Sequence, residues 1–175
     1  MTIQSYADFL KTDLGQWLDE RLPQKPDGKP DIEREQSDVV HDLLAHLAEQ
    51  MIEMNKQKPA LVKGFLGWLE AEILKGSVEV QKNKTKIKAF HEADFEALLE
   101  ILKKNKVVPS PCPSRIRAAI QKEFNAAMEK LNPLKAQIAA TDRLIDLVVY
   151  RLYGLTEREV TVVEGNEEEK RRIIS

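Results

Sequence analysis

His41 and His46 stand five residues apart, so on a helix their rings diverge by about 140° and do not share a metal ion from one face. His91, within "HEAD", has no ligand partner at a useful spacing, and all three histidines read as surface or half-buried side chains. Pro26-Asp27 and Pro30-Asp31 begin the Pro-Asp…Asp/Glu-x-Lys pattern of metal-dependent nucleases. Neither is followed by an acidic-x-Lys element on a strand. Glu96 and Glu100 of "EALLE", like the acidic run of "EEEK", occupy solvated helix positions with no closed pocket to raise a carboxyl pKa. The chain contains no glycine-rich phosphate loop, no G-x-G-x-x-G and no Asn/Asp-Pro-Pro-aromatic tetrad for methyl transfer to an exocyclic amine. The single Cys112, in "PSPCPS", excludes an internal disulfide framework and fits a reducing cytoplasm; a lone cysteine is most often a small apolar filler. These residues predict no catalytic, cofactor-binding or metal-ligating set, and no enzyme activity for this chain alone.

The chemistry that remains is electrostatic. Lys82, Lys84, Lys86 and Lys88 occupy every second position of "SVEVQKNKTKIKAF", and an extended chain would put all four ammonium groups on one side. At about 6.6 Å between alternate residues, that spacing approaches the phosphate repeat along one DNA strand. From Lys82 to Lys122 there are ten Lys or Arg against four acidic residues, and Arg115 and Arg117 add fork-shaped guanidinium donors. The candidate DNA-backbone contacts are therefore Lys82, Lys84, Lys86, Lys88, Arg115 and Arg117. The same run also suits a solvated edge that discourages aggregation.

Helices must position these groups. Apolar residues recur at helical spacing from about Tyr6 to Arg21 (Phe9, Leu10, Leu14, Trp17, Leu18). "LPQKPDGKPD" then interrupts, with Asp31 placed to cap a helix reaching Asn55 through Val40, Leu43, Leu44, Leu47, Met51 and Met54. Leu43, Leu47, Met51 and Met54 form a coiled-coil-like stripe that could dock a partner helix, although core packing is the commoner use of methionines at this spacing. After "NKQKP" a shorter helix is expected from Leu61 to Ile73, stopped at Gly76, then a short extended or β element near 78–88. A helix resumes near His91 (Phe95, Leu98, Leu99, Leu102) and ends before the proline-rich "NKVVPSPCPS". Ile116 to Leu131 and Leu134 to Leu152 are strongly helical, joined at Asn132-Pro133 either as a hairpin or as one kinked rod.

The stretch "TDRLIDLVVYRLYGLTEREVTVVEG" specifies a helix stop and a restart. Gly154 suits a left-handed stop of Schellman type, Thr156 and Glu159 form a capping box, and Leu155 with Val160 forms a hydrophobic staple. The tail "NEEEKRRIIS" is expected to fray.

The expected fold is all-α: a bundle of five to seven helices with a long antiparallel pair at its centre. It comprises an N-terminal helix over 1–22, a linker over 23–36, a helical module over 37–165 and a charged tail over 166–175. The chain has 175 residues, 42% of them hydrophobic, with seven glycines and eight prolines, which favours helices over turn-rich β architecture. A net charge of −2 gives no global attraction to nucleic acid, so any DNA contact must be local. The absence of an apolar run of membrane-spanning length and of a leader-like amino terminus predicts a soluble, cytoplasmic protein.

The blocks "SDVVHDLLAHLAEQMIEMNK", "FLGWLE", "KNKTKIKAFHEADFEALLEILKKN" and "IAATDRLIDLVVYRLYGLTEREVTVVEG" resemble, in this order, the C-terminal region of bacterial adenine-specific DNA methyltransferases and type IIG restriction-modification polypeptides. The closing "TDRLID..VY.LYGLTE" is the most specific of them. In that family a methyl-transfer domain comes first, a target-recognition region follows, and helices of this kind come last. The resemblance implies a non-catalytic helical module of a phage-defence system that supports recognition or assembly on double-stranded DNA. S-adenosylmethionine is expected only in a catalytic domain outside this chain. A second expectation is a helical subunit that docks on a separate methyltransferase without touching DNA, with self-association as a further possibility.

Overall fold

The amino-terminal apolar periodicity does not form one helix. In the computed structural model, which describes residues 5–26 and 28–174 with side chains through 165, α1 (Tyr6–Leu10) ends at Lys11 and α2 (Asp13–Arg21) starts afresh. Thr12 makes the break: its hydroxyl accepts from the Gly15 N–H at 3.1 Å while donating to the Phe9 carbonyl at 2.6 Å. Gly15 has no room for a side chain, because a Cβ there would lie 2.3 Å from the Phe9 oxygen. The corner thus lets Phe9 and Leu18, both fully buried, enter one core.

The linker is folded. Its two ends are tied by an isolated bridge between Gln24 and Pro30 and by the Asp31 N–H donating to the Pro23 carbonyl at 2.9 Å. The Asp31 carbonyl accepts from the Arg34 and Glu35 N–H groups, so Asp31 begins a turn and does not cap a helix. Asp27 of the Pro-Asp pair lies outside the described residues, as do residues 1–4 and 175.

Helix α3 (Ser37–Leu69) runs straight through "NKQKP", where the sequence suggested an ending, and carries Pro59 inside it. A proline there gives up one helical hydrogen bond and costs about 3 kcal/mol. Phe65 and Leu69 downstream are 5% and 0% exposed, and burying two such side chains returns about 1.5–3 kcal/mol each. Helix α6 (Ser114–Leu152) resolves the alternative at Asn132-Pro133 in the same manner: it is one continuous helix, with buried Leu131 and Leu134 on either side of Pro133.

The exit of α3 widens into a π turn, Glu70–Leu74, and the left-handed stop falls on Lys75 at φ +50° instead of Gly76. Lys75 is held there by its own ammonium group, which donates to the Ala71 carbonyl at 2.8 Å. Glu70 fastens the next segment by accepting from the Val78 N–H at 2.7 Å and from Ser77 Oγ at 3.2 Å.

The segment expected to be extended is helical. Val78–Val80 is a 3₁₀ turn, and Lys84–Lys88 is α4, preceded by Asn83 in the left-handed region. Ile87, with no exposed surface, fixes this outcome by turning into the core. Successive side chains then rotate by about 100°, so the alternate lysines fan outward and no longer share one side. A second 3₁₀ turn (Phe90–Glu92) leads to α5 (Phe95–Lys104), capped by Asp94, whose carboxylate accepts from the Ala97 N–H at 2.8 Å.

Gly154 and Thr156 adopt the stop and restart that the sequence specifies. Gly154 has φ +65°, Leu155 N–H donates to the Tyr150 carbonyl at 2.9 Å and Gly154 N–H to the Arg151 carbonyl at 3.1 Å, which is the paired bonding of a Schellman motif. Thr156 N–H donates to Glu159 Oε2 at 2.8 Å, and the reciprocal Glu159 N–H to Thr156 Oγ1 contact is 3.4 Å. The helix that follows, α7 (Glu157–Ile174), extends through the stretch expected to fray.

The described residues contain helices and no sheet, so the fold is all-α. They form two compact units. The first comprises Met1–Met51 and Ala140–Ser175, with a core around Phe9, Leu18, Val40, Leu147, Val148 and Val160. Inside it Arg151 is 6% exposed, its guanidinium donating to Asp19 at 2.6 Å and to the Leu22 carbonyl at 2.5 Å. The second unit is Ile52–Ala139. Its core is an aromatic cluster in which Phe65, Phe90, Phe95 and Phe124 come from four different elements. Phe65 and Phe90 have centroids 4.2 Å apart, and Phe95 meets Phe124 edge-on at 5.6 Å. Among the described residues, no helix is long and apolar enough to cross a membrane.

Candidate nucleic-acid interface

The basic segment belongs to the second unit, and a single amide organises it. Asn105, at the end of α5, accepts from the Lys82 N–H through Oδ1 at 2.7 Å and donates through Nδ2 to the Lys82 carbonyl at 2.9 Å. The same Nδ2 also donates to the Ile101 carbonyl at 2.9 Å, closing the helix end. This clamp holds Lys82 against the turn that carries Lys104 and Lys106, whose Lys106 backbone is left-handed at φ +58°. Lys86 of α4 and Lys104 of α5 line one cleft. Lys82, Lys86, Lys104 and Lys106 are thereby gathered around the C-terminal end of α5, all with exposed side chains.

The remaining predicted contacts are placed differently. Lys84 and Lys88 converge on one carboxylate, Glu79, with Lys84 Nζ at 3.2 Å. Hydrogen bonds from Lys88 and then Lys84 hold the Glu79 carboxyl below its ordinary range. Arg117 forms a two-toothed pair with Glu96, one contact being 3.1 Å, and its guanidinium lies 5.3 Å from the centre of the Phe95 ring. Glu96 keeps the Arg117 guanidinium even more firmly charged than usual, above all through this hydrogen bond. Glu96 sits at the opposite end of α5 from Lys104, eight residues and so about 12 Å away. The arginine end and the lysine end are therefore two separate basic points. Arg115 is exposed at the start of α6. Among the described residues, Lys82, Lys86, Lys104, Lys106 and Arg115 have no carboxylate within pairing distance, whereas Lys103 is engaged by Glu100 at 2.7 Å.

Lys104 and Lys106 were counted in the basic excess of the sequence but not singled out as contacts. The clamp that recruits them spans 23 residues, and nothing periodic in the sequence signals it.

The apolar stripe considered for partner docking lies mostly within the chain's own packing. Leu47 is 7% exposed, Leu43 packs against the core of the first unit, and Leu43, Met51 and Met54 are half-buried. Leu43 also lines a shallow apolar hollow with Leu14, Trp17 and Asp13.

His41 and His46 are exposed, His46 meeting Gln50 at 2.9 Å. His91 is 8% exposed, and its Nδ1 is buried with no hydrogen-bond partner among the described residues, the nearest carboxylate being Glu92 at 3.8 Å. Burial first, then Lys58 and Lys135, hold its pKa below the ordinary imidazole value against the opposing pull of Glu92. Among the described residues, no three His, Cys, Asp or Glu side chains converge as a metal site.

The sequence model of the domain-of-unknown-function family DUF8810 matches residues 37–149. The chain therefore belongs to that family, and the matched region begins with α3 and includes the whole of the second unit. No curated protein and no solved structure matches the chain.

Proposed function

We propose that this chain is a non-catalytic helical module that holds the phosphate backbone of double-stranded DNA. It serves a restriction-modification system of the adenine-methyltransferase kind, with S-adenosylmethionine bound by a separate catalytic polypeptide. The observation that supports this reading is the Asn105 clamp, which sets Lys82 beside Lys104 and Lys106 with no carboxylate in ion-pair contact with them among the described residues. Compact, strongly hydrated ammonium groups suit phosphate and carry no base-reading geometry, so such a surface positions DNA and leaves sequence recognition elsewhere. Lys84 and Lys88 contribute to the field, though Glu79 offsets part of their charge. Arg115 and Arg117 belong to a second contact point at the start of α6.

The test is fluorescence anisotropy of a labelled duplex at low salt. Replacing Lys82, Lys86, Lys104 and Lys106 by Glu should abolish binding with helix content unchanged, while Lys56→Glu with Lys63→Glu on α3 should leave it intact. Equal loss in both variants would reduce the effect to net charge and defeat the assignment.

A second reading, docking on a methyltransferase subunit without DNA contact, is favoured by the hollow at Leu14, Trp17 and Leu43. It predicts no duplex binding by the wild type and loss of methyltransferase association in Leu43→Asp.

A further inference from the structure

The cleft between α4, the Phe90–Glu92 turn and α5 has a volume of about 500 Å³, within the ~300–1,000 Å³ range of small-molecule sites. Its floor is apolar, with Phe90 and Leu98 at the bottom and Ile101 on one wall. Ala97, Ile101 and Lys104 follow one another at i, i+4 and i+7 on α5, so they share a face. The alanine at that face keeps the cleft open, because a large side chain there would fill it. Lys86 stands on the α4 side and Lys104 on the α5 side, with Asn83 and Glu92 completing the polar rim. Two ammonium groups and one carboxylate thus share the rim. Neither lysine is in ion-pair contact with a carboxylate among the described residues, although the charge of Lys104 helps Lys103 hold the Glu100 carboxyl below its ordinary range, whereas neighbouring Lys84 and Lys88 are both engaged by Glu79.

An apolar floor beneath a rim of net positive charge suits a ligand with both properties. We propose that this cleft binds a small organic monoanion with an apolar body, the acidic group between Lys86 and Lys104 and the apolar body over Ala97, Ile101 and Leu98. A divalent inorganic ion would leave the floor wet, and an uncharged hydrocarbon would leave the lysines without a counter-charge. The inference does not rest on DNA binding, although it uses two of the same lysines.

The experiment titrates the intact chain with 1-anilinonaphthalene-8-sulfonate, which brightens in apolar sites and carries one negative charge. Expected is saturable one-site binding that Ala97→Trp weakens by roughly ten-fold or more, the equivalent of losing one well-formed apolar contact. Lys86→Gln with Lys104→Gln should also weaken binding several-fold and remove most of its salt dependence. Dodecanoate should displace the probe, and dodecyltrimethylammonium and inorganic phosphate at equal concentration should not. Wild-type affinity in Ala97→Trp, with its helix content preserved, would overturn the site; equal displacement by the cationic amphiphile would overturn its preference for anions. Because Ala97→Trp leaves the lysines in place, its duplex affinity should be unchanged, so failure of the cleft and failure of the DNA surface give different results.

Discussion

Asn105 illustrates how much one side chain contributes when it satisfies several backbone groups together. Its amide accepts one backbone hydrogen bond and donates two, at distances of 2.7–2.9 Å, each worth about 0.5–1.5 kcal/mol net. Two of the three lie at the exposed surface, where water replaces part of what is lost, so Asn105→Ala should lower stability by about 1–3 kcal/mol in urea unfolding and weaken duplex binding while leaving every lysine in place. Loss of stability with unchanged duplex affinity would separate the clamp from the surface. His91 makes a second residue-scale prediction. Its folded pKa is depressed, so as pH falls through about 6.5 the unfolded chain takes up the proton before the folded one does. Stability should then drop between pH 7.5 and 5.5, and His91→Leu should flatten that part of the profile; an identical slope in the variant would assign the proton uptake elsewhere.

At the scale of elements, what could be read from the sequence is what local rules decide. The Gly154 stop and the Thr156–Glu159 box use residues within five positions of one another, and both were legible. Gly154→Ala should cost about 1–2 kcal/mol, since φ +65° disfavours any Cβ and a Cβ would also come within 3.1 Å of the Pro30 ring. Thr156→Ala should cost about 0.5–2 kcal/mol through the lost cap. Pro59 and Pro133 show where local reading ends. Each is a strong breaker by propensity, yet buried anchors such as Phe65, Leu131 and Leu134 hold the helix on through it. Pro59→Ala should accordingly raise stability, by up to about 3 kcal/mol if no new contact is lost. A fall in stability would mean that the proline has a packing role of its own. Lys84–Lys88 departs from the extended form that its alternating lysines suggest for a related reason: the burial of Ile87 sets the local backbone.

For the whole molecule, the candidate surface was only half legible. The basic excess between Lys82 and Lys122 is a matter of composition, but which lysines face together depends on the 23-residue Asn105 bridge and on the Glu79 and Glu96 ion pairs. Those pairs divide the charges into engaged and available sets, a distinction with no periodic trace in the chain. The net charge of −2 means that attraction to DNA must come from local basic clusters such as these, with no contribution from the molecule's overall charge. The central claim is that four clustered ammonium groups displace counterions from duplex phosphates. It is tested most directly by the slope of log Kobs against log salt for the wild-type chain and a labelled duplex: about −3 to −4 is predicted, and a flat line, or no binding at low salt, would contradict it.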